Sequence, residues 1–398
     1  MTARFPRINE MRAVIDRAYR GAYFKRTRNI PTLSRDFSGS TFLRHDDILD
    51  REMLTSRYFP RILATLTILA TIVTIAAQKD RLSAGEKILW TDPGDPSTLD
   101  FQYGIGGSER QPQPPFHFTD EDLTGTSPKV NVTDGRGAIW NVKWGREARP
   151  STFCTRLAWA CGYYAEPEYF VREGRIERAH GLKRARDRIR HDGSFVNARF
   201  QLRSDTPRFL AGESWAWTDN PFLKTREFQG LRILMLLVSN WDTKDARDQE
   251  GHRSPNTNLA IFEDNSTGSL RYLYANADWG ASMGKWGGTL TWTKWDCKGF
   301  AEETADFLKA GSDGSLHWGF EGKHRKDMVQ GITTSDIQWL LQYLGRITDD
   351  QIRTGLTASG ATSDETECFA RALRQRIDKL QQAVQTTRIT QERHSKHH

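Results

Sequence analysis

Residues 231–238 read LRILMLLV and residues 240–250 read NWDTKDARDQE. The first stretch is apolar nearly all round, so TREFQGLRILMLLV (225–238) is expected as a helix buried on every side. Directly behind it stand Asp242 and Lys244, two residues apart. A fully buried helix that ends on a carboxylate and an ammonium holds both on a rigid support. A general base is a fixed carboxylate near an acceptor hydroxyl, and charge developing on a phosphoryl group calls for a nearby cation.

Strand and turn signals surround this helix. PKVNV and AIWNVKWG alternate in polarity and are joined by TDGRG, where Asp134-Gly135 suits a tight turn. In the second strand Ile139, Asn141 and Lys143 share one face, while Trp140 and Val142 share the other. STFCTRLAWACGYY (151–164) reads as a helix, with Gly162 near its end. NLAIFED and LRYLYAN flank NSTG as a second hairpin, and ADWGASMG follows. A strand ending in Asp278-Trp279-Gly280 offers a carboxylate for a divalent metal, and Gly280 lets the chain turn close to a ligand. The last third is helical. Thr348 and Thr362 each stand three residues before Gln351 or Glu365, the capping-box spacing, and Phe369, Leu373, Ile377, Leu380 and Val384 form one stripe.

The parts come in a fixed order: the short loop Gly125-Thr126-Ser127-Pro128-Lys129, the strand carrying Lys143, a helix, the buried helix, Asp-x-Lys, a hairpin and Asp-x-Gly. This is the plan of the protein-kinase-like phosphotransferases. GTSPKVNVTDGRGAIWNVKWG (125–145) resembles the nucleotide-binding hairpin of HipA-type and phosphoinositide-kinase-like proteins, including secreted kinases of that superfamily. NPFLKTREFQGLRILMLLVSNWDTKD (220–245) and NADWGASMG (276–284) resemble more closely a group of uncharacterised bacterial proteins with this plan. The resemblance spans about residues 95–388.

It implies an α+β fold of two lobes, a small β-rich N-lobe (118–172) and a larger helical C-lobe (173–388). It also implies transfer of the ATP γ-phosphoryl group, with Mg²⁺ or Mn²⁺, to a hydroxyl on a protein, sugar or lipid. Gly125, Thr126, Ser127, Lys129 and Lys143 would bind the nucleotide, Asp242 would be the catalytic carboxylate beside Lys244, and Asp278 would hold the metal. Relatives usually carry an Asn about five residues after the catalytic Asp, where this chain has Arg247. The insertion ARDQEGHRSP (246–255) moves that role to Asn258 or Asn256, with Asn258 preferred. The helix Glu expected to pair with Lys143 falls on Ser151, and Glu147 is the nearest substitute. A catalytically inactive binding module on the same scaffold is the alternative.

Composition sets outer bounds. The 398 residues carry a net charge of +7 with a mean hydropathy of −0.65, too polar for a multi-span membrane protein. Basic runs such as GLKRARDRIRH (181–191) read as solvated faces, and no nucleic-acid motif accompanies them. The four Cys form no CxxC pair and read as buried thiols. KWGGTLTWTKWDCKGF (285–300) is either a substrate-facing segment or an aromatic cap on the large lobe.

Residues 53–78 combine Arg57 and Arg61, the apolar run 62–77 and a small-residue end, the order of a secretory signal peptide. Either Met53 is the true start and 1–52 are not translated, or 58–78 anchor the chain behind a short basic tail. Both place the rest outside the cytoplasm. Residues 79–117 read as a loop-rich lead-in and 389–398 as a disordered tail.

Overall fold

The computed structural model describes residues 82–395 apart from 126, 250–256, 287–290 and 312–313. The extension 1–52, the signal or anchor 53–78, Thr126 and Asn256 lie outside the described residues. Among those described, no helix is long and apolar enough to cross a membrane.

The two-lobed α+β plan is present. Five strands close into a barrel in the order β2 (Phe116–Glu121), β3 (Lys129–Thr133), β4 (Ile139–Trp144), β6 (Ser194–Arg203), β5 (Glu168–Glu177). The turn between β3 and β4 is organised by the buried Asp134, whose carboxylate accepts from the backbone N–H groups of Arg136 and Ala138 at 2.9 Å and from Trp140 Nε1 at 3.1 Å. The small lobe therefore extends to Arg203, not to residue 172. β5 and β6 pair antiparallel from Glu168↔Gln201 to Arg175↔Ser194 and cannot be split between lobes without leaving a ladder unpaired.

The barrel has an apolar inside and a polar cleft face, because the side chains of each strand alternate. Val130, Val132, Trp140, Val142 and Phe200 fill the interior. Register places Lys129 opposite Lys143, Asn131 opposite Asn141, Arg199 opposite Lys143 and Gln201 opposite Asn141. Most of these groups are bonded, to one another or to neighbouring acids. Arg199 pairs with Glu168 at 3.0 Å, Asn141 donates to Asn131 at 3.0 Å, and Gln201 donates to Glu166 at 2.7 Å. Burial pushes the Glu166 carboxyl up to about 7, against the pull of Arg203.

Helix α1 (Ala148–Ala160) joins β4 to β5 and buries Phe153, Cys154 and Leu157 in the core of the large lobe. It starts three residues before the expected Ser151, with Glu147 at its N-cap. Helix α2 (Arg226–Leu237) is capped by Thr225, which accepts from Phe228 N at 3.2 Å, and Ile233 through Leu237 are fully buried. A sheet ordered β1-β9-β8-β7 follows, from β1 (Glu86–Ile88), β7 (Arg208–Phe209), β8 (Leu259–Asp264) and β9 (Arg271–Asn276). The short hairpin β10 (Leu308–Ala310) and β11 (Leu316–Trp318) and the helices α3 (Cys297–Glu302), α4 (Arg325–Val329), α5 (Thr334–Leu344), α6 (Asp349–Ala358) and α7 (Ser363–Ser395) complete the lobe.

Three expectations need correction. The lead-in is not loose: β1 pairs in parallel with β9, and β2 already begins at Phe116. The tail is helical through Ser395, since α7 runs on past residue 389. The cysteines are not four thiols: Cys297 and Cys368 are bonded across 71 residues of sequence, while Cys154 and Cys161 are free and buried.

Two outcomes follow from this packing. A cross-link spanning 71 residues contributes about 4 kcal/mol by loop entropy. A reductant should therefore lower the melting temperature of the wild type and leave Cys368→Ser unaffected; no reductant effect on the wild type would mean that the pair does not form. Glu166, raised from its ordinary 4.5 to about 7, holds a proton in the folded state that the unfolded state has released across that window. Stability should fall as pH rises from 4.5 to 7, and Glu166→Gln should flatten the decline in denaturant titrations. Parallel profiles for the two proteins would contradict the buried, protonated Glu166.

Candidate functional site

Helix α2 ends where Ser239 takes a left-handed conformation (φ 52°). Residues 241–245 that follow adopt no regular structure, so their polar groups find partners elsewhere. Trp241 N donates to Ala281 O at 3.2 Å, Lys323 N to Trp241 O at 2.9 Å, and Trp217 Nε1 to Thr243 O at 3.0 Å. Thr243 Oγ1 donates to Lys323 O. Asp245 is wholly buried and accepts from Trp217 N at 3.0 Å and from the Arg247 guanidinium at 2.5–3.0 Å. Asp242, side chain 17% exposed, is left facing Lys244, whose Nζ lies 3.0 Å from Oδ2. Asp242 and Lys244 thus come together at the end of the buried helix, as expected.

Asn258 joins this loop to Asp-x-Gly. Its Nδ2 donates to Asp242 O, its N–H to Lys244 O at 3.0 Å, and its carbonyl accepts from Ala277 N at 2.8 Å. Of the two asparagines considered, Asn258 is the one among the described residues, and it reaches the loop carrying Asp242. Arg247 serves as a strut instead, tying Asp245 to Asp327 (2.7 Å). The backbone carbonyl of Asp278 accepts from Asn240 Nδ2 and Asn276 Nδ2, both at 3.1 Å, and its Oδ1 accepts from Gly280 N at 2.8 Å. Asn240 and Asn276 were missed from sequence, although a signal exists: each begins an Asn-x-Asp triplet, Asn240-Trp241-Asp242 and Asn276-Ala277-Asp278.

The third component comes from the barrel. Lys143 Nζ lies 2.5 Å from Glu147 Oε2, and Ser127 Oγ donates to the same oxygen at 3.0 Å. Lys294 Nζ pairs with Oε1. Burial alone would raise the Glu147 carboxyl; the two ammonium groups instead hold it well below the usual range. Ser151, the other position considered for this role, is buried and donates to Glu168 at 2.8 Å. Glu147 is therefore the partner of Lys143. It also abuts the Asp278–Gly280 turn: a Cβ on Gly280 would lie 2.7 Å from Glu147 Cβ.

Of the loop residues, Ser127 reaches the cluster and Gly125 (φ 62°) gives its carbonyl to Arg184. Lys129 pairs with Asp122 at 3.0 Å, away from Glu147. Residues 291–296 pack aromatic rings on the large lobe and also send one side chain towards Glu147. Trp292 stacks on Trp241 (4.9 Å) and Lys294 enters the site, while Trp295 packs against Phe369 (4.6 Å) in the large lobe.

Oxygen donors suit a hard divalent cation such as Mg²⁺ or Mn²⁺. The Asp278 carboxylate fits, as does the amide oxygen of Asn258, whose nitrogen is occupied by Asp242 O. A cavity of about 730 Å³ adjoins the cluster, lined by Arg146, Arg149, Arg188, Lys294 and Asp296 among others.

No protein-family model and no curated protein matches the chain. Among solved structures it is similar to the Helicobacter pylori proinflammatory kinase CtkA, at 9% identity over 69% of this chain and 98% of that one, with a TM-score of 0.42. It is similar also to the Golgi casein kinase with Mn and ADP bound (12% identity, 68% of this chain and 73% of that one, TM-score 0.32). A further structure of the Golgi casein kinase gives 13% identity, 69% and 72% coverage and a TM-score of 0.31.

Proposed function

We propose that the chain is a metal-dependent phosphotransferase that moves the γ-phosphoryl group of ATP to a hydroxyl acceptor. The observation that carries this reading is the convergence at Gly280. Glu147, bearing Lys143, abuts the Asp278 turn, and Asn258 ties that turn to Asp242. Four charged groups from three stretches far apart in sequence are linked in this way.

In this reading Lys143 binds phosphate oxygens, positioned by Glu147. Asp278 and Asn258 would hold Mg²⁺ or Mn²⁺, which would supply charge screening for the phosphates. Asp242 orients the acceptor hydroxyl and takes its proton as the oxygen bonds to the γ-phosphorus. The bond from that phosphorus to the bridging oxygen breaks, and ADP leaves. Lys244 offsets charge on the phosphoryl group in flight. The cavity beside Lys294 gives an acceptor room to approach. The two departures that favoured an inactive module are each compensated, by Asn258 for the displaced Asn and by Glu147 for the helix Glu.

The Cys297–Cys368 bond supports export, since such bonds persist in oxidising compartments. Residues 53–78 fused to a reporter active only outside the cytoplasm should give signal; a silent fusion would count against export.

Lys143→Ala should weaken Mg–ATP binding roughly tenfold or more, the equivalent of one charge-assisted contact worth about 1.5–3 kcal/mol. Asp242→Asn should abolish transfer, read by ATP hydrolysis or autophosphorylation, while Mg–ADP still raises the melting temperature. An active Asp242→Asn protein would defeat this assignment. Wild-type protein that binds nucleotide without turnover would be a binding module.

A further inference from the structure

Among the described cations, Lys294 is placed in a way the reading above does not use. It comes from a segment 16 residues past Asp278 in the sequence, yet its ammonium reaches into the cleft and pairs with Glu147. It also lies 5.1 Å from the centroid of Trp241, the residue before Asp242, in cation–π geometry. Lys294 thus touches both the barrel-side cluster and the loop that carries Asp242.

Its segment is built to present it. Thr293 N donates to Lys285 O at 3.1 Å and Lys285 N to Thr293 Oγ1 at 2.8 Å, closing a loop on itself. Trp295 N donates to Ser282 O at 3.3 Å, Asp296 N to Met283 O at 2.8 Å, and Trp241 Nε1 to Thr293 O at 3.1 Å. Cys297 then bonds the segment to α7. Trp295 adopts φ 50°, a left-handed conformation unfavourable for a bulky side chain. Its ring lies on Phe369 while the neighbouring Lys294 reaches the cleft. Strain of this kind persists only where the surroundings enforce it.

The charge balance gives the arrangement a purpose. One carboxylate would neutralise one lysine. With Lys143 and Lys294 on opposite oxygens of Glu147, the cluster keeps a net positive charge. A lone Lys143–Glu147 pair attracts a polyphosphate less, because the carboxylate behind the ammonium cancels part of its field.

We propose that Lys294 is a positioning residue of the nucleotide site. It occupies one oxygen of Glu147 and so releases the charge of Lys143 for the nucleotide's phosphates. This rests on the phosphotransferase reading, and the test separates the two.

The full chain is titrated by calorimetry with Mg–ADP and, separately, with adenosine, as wild type, Lys294→Met and Lys294→Arg. The expected result is that Lys294→Met loses roughly tenfold in affinity for Mg–ADP, the scale of one charged contact, with adenosine unchanged. Lys294→Arg should keep most of the affinity, because a cation still sits on Glu147. Equal Mg–ADP affinity in wild type and Lys294→Met overturns the proposal while leaving the nucleotide site intact. Tighter Mg–ADP binding in Lys294→Met overturns it as well, marking Lys294 as a plug. Parallel losses for Mg–ADP and adenosine make the residue merely structural. A wild-type chain that binds neither removes the nucleotide reading, and this inference with it.

Discussion

The guanidinium of Arg376 is fully buried, and no carboxylate bonds to it among the described residues. Its hydrogens go instead to Leu237 O at 3.0 Å, Ser239 Oγ at 2.7 Å, Phe300 O at 2.9 Å and Thr304 Oγ1 at 3.0 Å. The Phe300 ring covers one face at 3.6 Å. Leu237 is the last residue of α2, so the cation sits at the negative end of that helix, where carbonyl dipoles partly replace a counter-ion. Burial pushes the group down to about 9, against nearby Glu303, so it remains charged at neutral pH. A buried charge is costly unless hydrogen-bonded, and four bonds answer the five N–H groups of this guanidinium. The position of Ser239 is thereby fixed, and with it the start of the loop carrying Asp242. The large-lobe side of the cleft is built outward from that joint.

From the joint, order passes along the chain by side chains holding backbone. Asn240 carries it to Asp278, and Asn258 carries it back from β8 to Asp242. Beyond Lys244 a knot of acids and bases closes the loop from below. His324 Nε2 lies 2.7 Å from Asp248, and the Arg247 guanidinium spans Asp245 and Asp327. Asp242 and Asn258 are thus brought together without the five-residue spacing expected from the sequence. A strut occupies the old position, and the amide returns through space from the start of a strand.

What was legible in the sequence is what local physics dictates. α2 announced itself by an apolar surface on all sides, the hairpins by alternation around Gly turns, and the starts of α6 and α7 by reciprocal caps. Thr348 and Gln351 form such a box, and Thr362 exchanges bonds with Glu365 at 2.9 and 3.2 Å. The lobe boundary was misread because β5 and β6 are separated by the basic stretch 181–191 and carry polar residues on their cleft face, which weakens the alternation signal. Glu147 was underrated because it precedes its helix instead of lying within it. The Cys297–Cys368 bond, Arg376 and Lys294 depend on partners 50 or more residues away. Nothing in their immediate neighbours encodes those contacts.

The lead-in bears on how the two lobes can move. One covalent crossing between them follows β6 and enters β7. A second runs through the lead-in, from β1 on the large-lobe sheet to β2 in the barrel. Along the way that second strap is fastened at several points: Thr91 N donates to Gly162 O at 2.9 Å, Arg346 pairs with Asp95 at 2.8 Å, and Gln351 donates to Pro96 O and Leu99 O, both at 2.8 Å. Two lobes joined by a single strand can swing and twist. Here the lead-in strap is joined by α1, which leaves the barrel after β4, packs Phe153 and Leu157 into the large-lobe core and returns at β5, so swing and twist are both opposed. A ligand entering this cleft therefore meets walls held at a nearly fixed separation, one bearing Ser127 and the other Lys294.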